Sequence, residues 1–159
     1  MTETPLKPRR VRMGEKMKYA YSLKTLRVKE KDFPYNGEQL TCTSELVSFV
    51  HRLQDSDVEK MIVIYLDAQN KLCGILPIMG TVNQAVVYPR EVLKHALLSG
   101  ACNAILVHNH PSGHTRPSEA DIRLTKTIQD VSKQIDVQIH DHLIIGGDRF
   151  FSFREEGLI

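Results

Sequence analysis

The sequence predicts an α/β domain built on a mixed β-sheet flanked by helices. Three observations predict it. Short β-branched apolar runs are interleaved with stretches whose apolar residues recur at helical spacing. Some of these runs are joined by turns too short to hold a helix, so hairpins occur within the sheet. The 159 residues, 42% of them hydrophobic, suffice for one core rather than two.

Each element follows from a local pattern. Between Thr43 and Leu53 the apolar residues Leu46, Val47, Phe49, Val50 and Leu53 keep helical spacing behind a Thr43-Ser44 cap signal, which predicts an amphipathic helix. Met61 to Leu66 is a β-branched run ended by the turn residues Asp67 to Asn70, and Lys71 to Ile78 reads as the returning strand of a hairpin. A strand over Val82 to Tyr88 precedes Pro89, which suits the first turn of a helix. Val92, Leu93, Ala96 and Leu97 hold the helical period and Gly100 stands at the C-terminal cap, so this helix runs from about Pro89 to Ser99. Asn103 to His108 lies between Gly100 and Pro111, is too short for a free-standing helix, and reads as a buried strand. After a polar loop, Asn109 to Pro117, Ser118 caps a helix whose inner face uses Ile122, Thr125, Ile128, Val131 and Ile135. The chain closes with a strand from Val137 to Ile145, a turn over Gly146 to Arg149 and a strand from Phe150 to Arg154.

The net charge of +2 conceals an asymmetry: residues 1–31 carry +7 and residues 32–159 carry −5. We read 1–31 as a basic, solvated arm and 32–159 as the single folded domain. Contact with nucleic acid is the alternative use of the arm, but no helix-turn-helix, zinc-finger or aromatic RNA-binding signature accompanies it. No run approaches the ~18 apolar residues of a membrane span, and the basic, proline-containing start lacks an apolar leader, so the expectation is a cytoplasmic protein without membrane contact. Cys42, Cys73 and Cys102 are widely spaced, odd in number and without a Cys-x-x-Cys pair, and are expected to stay reduced.

The residues that carry chemistry lie in His108-Asn-His110-Pro-Ser-Gly-His114-Thr-Arg-Pro-Ser118-Glu-Ala-Asp121. On an extended backbone, side chains two apart share a face, so His108 and His110 converge beyond a strand end. Asp121 falls in the first turn of the helix that Ser118 caps, and the intervening loop can fold it back toward the histidines. Two His and one Asp with a fourth position open is the ligand set of a catalytic zinc. Ser118 is placed to steady a developing oxyanion, and its role as a helix cap is compatible with that.

His108-x-His110, seven residues, Ser118, two residues and Asp121 resembles the motif of the JAMM (MPN-plus, JAB) zinc metallopeptidases, and His-Asn-His-Pro-Ser-Gly is similar to their bacterial RadC-like branch. Tyr88-Pro-Arg-Glu91, Asn103-Ala-Ile-Leu-Val107, Pro117-Ser-Glu-Ala-Asp121 and Asp141-His-Leu-Ile-Ile-Gly146 match that branch in order and spacing. The resemblance runs from about Glu59 to the end of the chain. It implies a cytidine-deaminase-like α/β/α domain, one zinc per chain on His108, His110 and Asp121, and Ser118 beside the reacting water. It also implies a departure. The general-base glutamate is expected about four residues before Gly80, where Leu76 and Pro77 stand, and no acidic residue occurs between Asp67 and Glu91. Turnover is therefore expected to be weakened unless another carboxylate, such as Glu59 or Glu38, supplies the base.

The remaining histidines carry less. Asp141 and His142 belong to the branch pattern and are placed as possible support behind the ligands. His140 is read as alternating in register with His142, His114 as solvated in the loop, and His51 and His95 as helix-borne; Asn109 points away from the ligands to satisfy loop backbone. The function expected is a zinc hydrolase cleaving a peptide, isopeptide or amide bond in a peptide or protein substrate. The alternatives are a zinc-binding interaction module of weak activity and a DNA-repair accessory protein.

Overall fold

The computed structural model describes Leu46, Val47, Val50, Leu53, residues 55–79 and residues 87–159. Among these, β1 (Lys60–Leu66), β2 (Leu72–Met79), β3 (Asn103–Asn109), β4 (Gln138–Gly146) and β5 (Arg149–Ser152) form one sheet in the order β2-β1-β3-β4-β5. β1 is antiparallel to β2 and β3, β3 is parallel to β4, and β4 is antiparallel to β5. The mixed sheet is therefore as expected. A parallel pair needs a crossover, and the helix α2 (Glu119–Lys133) supplies it between β3 and β4; α1 (Pro89–Ser99) joins β2 to β3.

The runs Met61–Leu66 of β1 and Ala104–Val107 of β3 are buried and apolar because both faces of the sheet are covered. Met61, Val63 and Tyr65 of β1 pack toward Val92 and Ala96 of α1 and Ile128 of α2. Ile62, Ile64 and Leu66 pack the other way, toward Leu46, Val50 and Leu53. Leu46, Val47 and Val50 are helical, and the rest of the helix expected over Thr43 to Leu53 lies outside the described residues save Leu53, which sits in a 3₁₀ turn. The bounds of α1 match the expectation, with Pro89 in its first turn and Gly100 at φ +69° donating its N–H to Ala96 and Leu97 carbonyls.

Several expectations are corrected. Val87 and Tyr88 are not in a strand, and residues 82–86 of that expected element lie outside the described set. β5 ends at Ser152 rather than Arg154, because the chain turns there and buries Phe153. On α2 the buried row is Asp121, Thr125, Ile128 and Ser132, while Ile122 is 42% exposed. The cap at Ser118 turns Asp121 inward, and 100° per residue then carries Ile122 outward. In β4 the pairing with β3 slips between Ala104–Ile139 and Ile105–Asp141, so His140 is an extra residue and does not alternate with His142. That bulge reverses the faces beyond it. His142 consequently pairs with Leu106 and points toward α2, whereas Asp141 points to the other face.

Candidate metal centre

β3 delivers His108 to the carboxyl end of the sheet, where open α/β sheets present ligand sites. His108 is held between Met61 of β1 and Ile144 of β4 and is buried. The His110 N–H donates to the Ile145 carbonyl at 2.8 Å, which keeps the chain extended past the last strand residue. His108 and His110 therefore share a face, and their Nε2 atoms lie 2.9 Å apart. The loop that follows fits against β4 only because Gly146 lacks a side chain: a Cβ there would stand 2.7 Å from the Gly113 carbonyl oxygen. Gly113 itself sits at φ +78°.

Asp121 comes from the opposite direction, at the start of α2. Ser118 Oγ accepts from the Asp121 N–H at 3.1 Å, and Asp121 Oδ2 accepts from the Ser118 N–H at 2.7 Å and from its hydroxyl at 2.6 Å. This reciprocal capping box fixes the carboxylate, with Asp as the third helical residue in place of the more usual Glu. Its Oδ1 lies 3.3 Å from His108 Nε2 and its Oδ2 3.6 Å from His110 Nε2. Ligand-type atoms of all three residues fall within 4.8 Å of one another.

The electrostatics follow from this geometry. Burial pushes the His108 imidazole down to about 4 despite the pull of Asp121, so it is neutral at pH 7. The neighbouring Asp121 carboxylate raises His110 against the opposing effect of its burial. Burial alone would raise Asp121, but His110, His108 and Ser118 together hold its carboxyl well below the usual carboxylate range. The donor set fits zinc. His110 Nδ1 is 2.6 Å from the His114 carbonyl, which can only accept, so Nδ1 bears the hydrogen and Nε2 carries the lone pair of the neutral ring. Two imidazole nitrogens and a carboxylate oxygen leave a fourth tetrahedral position open.

A model of the RadC-like JAB domain matches residues 40–158. The chain belongs to this family. Among the relatives of this RadC-like JAB domain, the UPF0758 protein YkfG of Escherichia coli (strain K12) is 47% identical over 102 residues, which are 64% of this chain and 65% of that protein. A UPF0758 protein of Alteromonas mediterranea is 43% identical over 109 residues, 68% of this chain and 48% of that protein. The UPF0758 protein YeeS of Escherichia coli (strain K12) is 44% identical over 102 residues, 64% of this chain and 69% of that protein. The chain thus spans about half to two thirds of the length of the first two.

The other expected residues of the RadC-like domain divide. His142 joins the cluster, its Nε2 2.8 Å from His108 Nδ1, its ring stacked on Phe153 with centroids 4.7 Å apart. Asp141 does not. Its Oδ1 accepts from the His142 and Arg154 N–H groups at 2.7 and 3.0 Å, and its Oδ2 from the Ser152 hydroxyl at 2.6 Å, all on the far face. Asn109 points away from the ligands as expected, donating to the Ser56 and Val58 carbonyls and accepting from the Lys60 N–H. His114 is exposed, and His95 is hydrogen-bonded to the Glu91 carbonyl on α1.

Leu76 pairs with Val63 and packs among the apolar residues under α1, while Pro77 is exposed. Neither brings a carboxylate to the histidines. Glu59 does: its charge helps to raise His110. The residue was legible only as one of two fallback carboxylates, because its place depends on strand register. Met61 pairs with His108 across β1 and β3, and Glu59 precedes Met61 by two residues as His110 follows His108 by two. The Asn109 side chain, gripping backbone on both sides of Glu59, holds it there. Thr125 was also missed as a site residue, although its spacing of four from Asp121 puts both on the buried row of α2.

Proposed function

We propose that this RadC-like JAB domain is a zinc-dependent hydrolase that cleaves a peptide, isopeptide or amide bond in a peptide or protein substrate. The observation that carries this reading is the convergence of His108, His110 and Asp121 at the carboxyl end of β3, with the charge of Glu59 acting on the same site. Zinc held by the three ligands supplies Lewis acidity, acidifying water and polarising a carbonyl. The chain's own residues do the rest. Glu59 takes the proton from the attacking water and returns it to the leaving nitrogen, the role for which Leu76 offers no carboxylate. Asp121 and the neutral His108 hold the metal side of the site, and the Ser118 hydrogen bonds keep the Asp121 carboxylate in position. Ser118 serves an oxyanion as well only by exchanging its bond to Asp121 Oδ2.

The test is metal analysis of the purified protein coupled to turnover on mixed peptides and isopeptide-linked conjugates, with and without a chelator. Stoichiometric zinc with chelator-sensitive cleavage supports the reading. Stoichiometric zinc without cleavage of any such substrate replaces it with a zinc-binding interaction module.

A further inference from the structure

We propose that Thr125 is a positioning residue that sets the tautomer of His108 through His142, and so aims the His108 Nε2 lone pair into the cluster. The inference rests on the reading of His108 as a metal ligand, but the hydrogen-bond chain that carries it belongs to the protein alone.

The chain starts at the one group in it that cannot donate, the backbone carbonyl of Asp121. Thr125 Oγ1 lies 2.6 Å from that oxygen. Two oxygens at this distance repel unless a proton lies between them, so the single Thr125 hydroxyl hydrogen is committed to the carbonyl. His142 Nδ1 is also 2.6 Å from Thr125 Oγ1. With the hydroxyl hydrogen already spent, Nδ1 must be the donor. The His142 ring is fully buried, and its two nitrogens face a hydroxyl and an imidazole. A second proton there would bury a cation without a counter-ion in contact, so Nε2 carries a lone pair. His108 Nδ1, 2.8 Å from that Nε2, must then donate, and neutral His108 is left with its lone pair on Nε2, facing His110 Nε2 and Asp121 Oδ1.

The fold over-determines this chain. Asp121 and Thr125 are four apart on α2, so the carboxylate ligand and the start of the relay ride on one helical turn. The bulge at His140 turns His142 to the α2 side, and Phe153 stacks beneath its ring. One residue, Asp121, thereby offers its carboxylate to the site and, through its carbonyl, orients the opposing imidazole. Hydrogen bonds behind metal-ligating histidines commonly set tautomer and affinity, and their loss typically costs ~10–100-fold in metal affinity.

The experiment combines imidazole nitrogen NMR of the metal-free and zinc-loaded protein with zinc affinity by chelator competition, for the native chain, Thr125→Val and Thr125→Ser. Expected are Nδ1–H tautomers of both His108 and His142 in the native protein in either state, about 10–100-fold weaker zinc binding with a changed His142 tautomer in Thr125→Val, and recovery in Thr125→Ser. An Nε2–H tautomer at His108 or His142 in the native metal-free protein overturns the proposal without reference to any variant. Unchanged affinity and tautomers in Thr125→Val overturn it equally. If the native protein binds no zinc, the metal reading fails by itself, and the metal-free tautomers still decide the relay.

Discussion

Asp141 and Asp121 are both buried carboxylates of this domain, and their surroundings differ in kind. Asp141 is met by three donors, the Ser152 hydroxyl and two backbone N–H groups, and ties β4 to the turn after β5. Asp121 receives Ser118 on Oδ2, which also lies 3.6 Å from His110 Nε2, but its Oδ1 confronts at 3.3 Å the Nε2 of His108, an imidazole kept neutral by burial. A buried acceptor supplied with donors is complete and holds the fold together. Acceptors brought against one another are not, and the arrangement calls for a cation. Functional and structural polar clusters in one small domain are thus told apart by counting protons rather than by counting charged residues.

Substitutions around the two carboxylates sharpen this contrast. The largest change expected is in turnover: Glu59→Gln should lower kcat by ~10²–10⁴-fold while zinc content and melting temperature stay near native. Steady-state kinetics with metal analysis on the same sample checks this, and unchanged kcat removes Glu59 as the base. Next is Asp141→Ala, which leaves three donors without their acceptor; a loss of about 3 kcal/mol or more in urea unfolding is expected, with any surviving folded protein still binding zinc. Loss of zinc without loss of stability would erase the distinction between the clusters.

Acid provides a smaller, graded test on the metal-free protein. The folded-state pKa values of His108 and His142 are depressed by burial, to about 4 for His108, so the unfolded chain binds more protons between pH 6.5 and about 4. Their contribution is present above pH 6.5 and is lost as pH falls through that window. His110, raised mainly by Asp121, works in the opposite sense, its contribution fading as pH rises through its folded value. Melting temperatures from pH 7 to 4 should therefore fall, and His110→Gln should steepen the fall. The smallest effect expected is Ser118→Ala, which removes a helix cap worth about 1 kcal/mol and loosens Asp121, so a modest stability loss should accompany weaker zinc binding. A cap loss with native zinc affinity would show that Asp121 holds its place without Ser118.

Much of this was legible in the sequence because it depended on local rules. Pro89 and Gly100 marked both ends of α1, and Ser118 with Asp121 marked the start of α2, since caps act within one turn. The convergence of His108, His110 and Asp121 was legible for the same reason: the two histidines share a face whenever the chain is extended, and Asp121 is placed by its own cap. What escaped depended on alignment between strands. The bulge at His140, which exchanges the faces of Asp141 and His142, leaves no mark in apolar periodicity. The effect of Glu59 on His110 depends on how β1 pairs with β3, whereas the family resemblance pointed to the returning strand, at Leu76 and Pro77. Ile122 was misplaced because an apolar residue was favoured for the inner face over the polar row that Asp121 and Thr125 make.

The central claim is that His108, His110 and Asp121 together hold one zinc ion. Native mass spectrometry of the zinc-reconstituted protein beside His108→Ala, His110→Ala and Asp121→Ala tests it most directly. The account predicts one zinc per native chain, none retained at stoichiometric concentration in any of the three variants, and circular dichroism spectra that keep the αβ signature. One zinc per chain persisting in both histidine variants would contradict it.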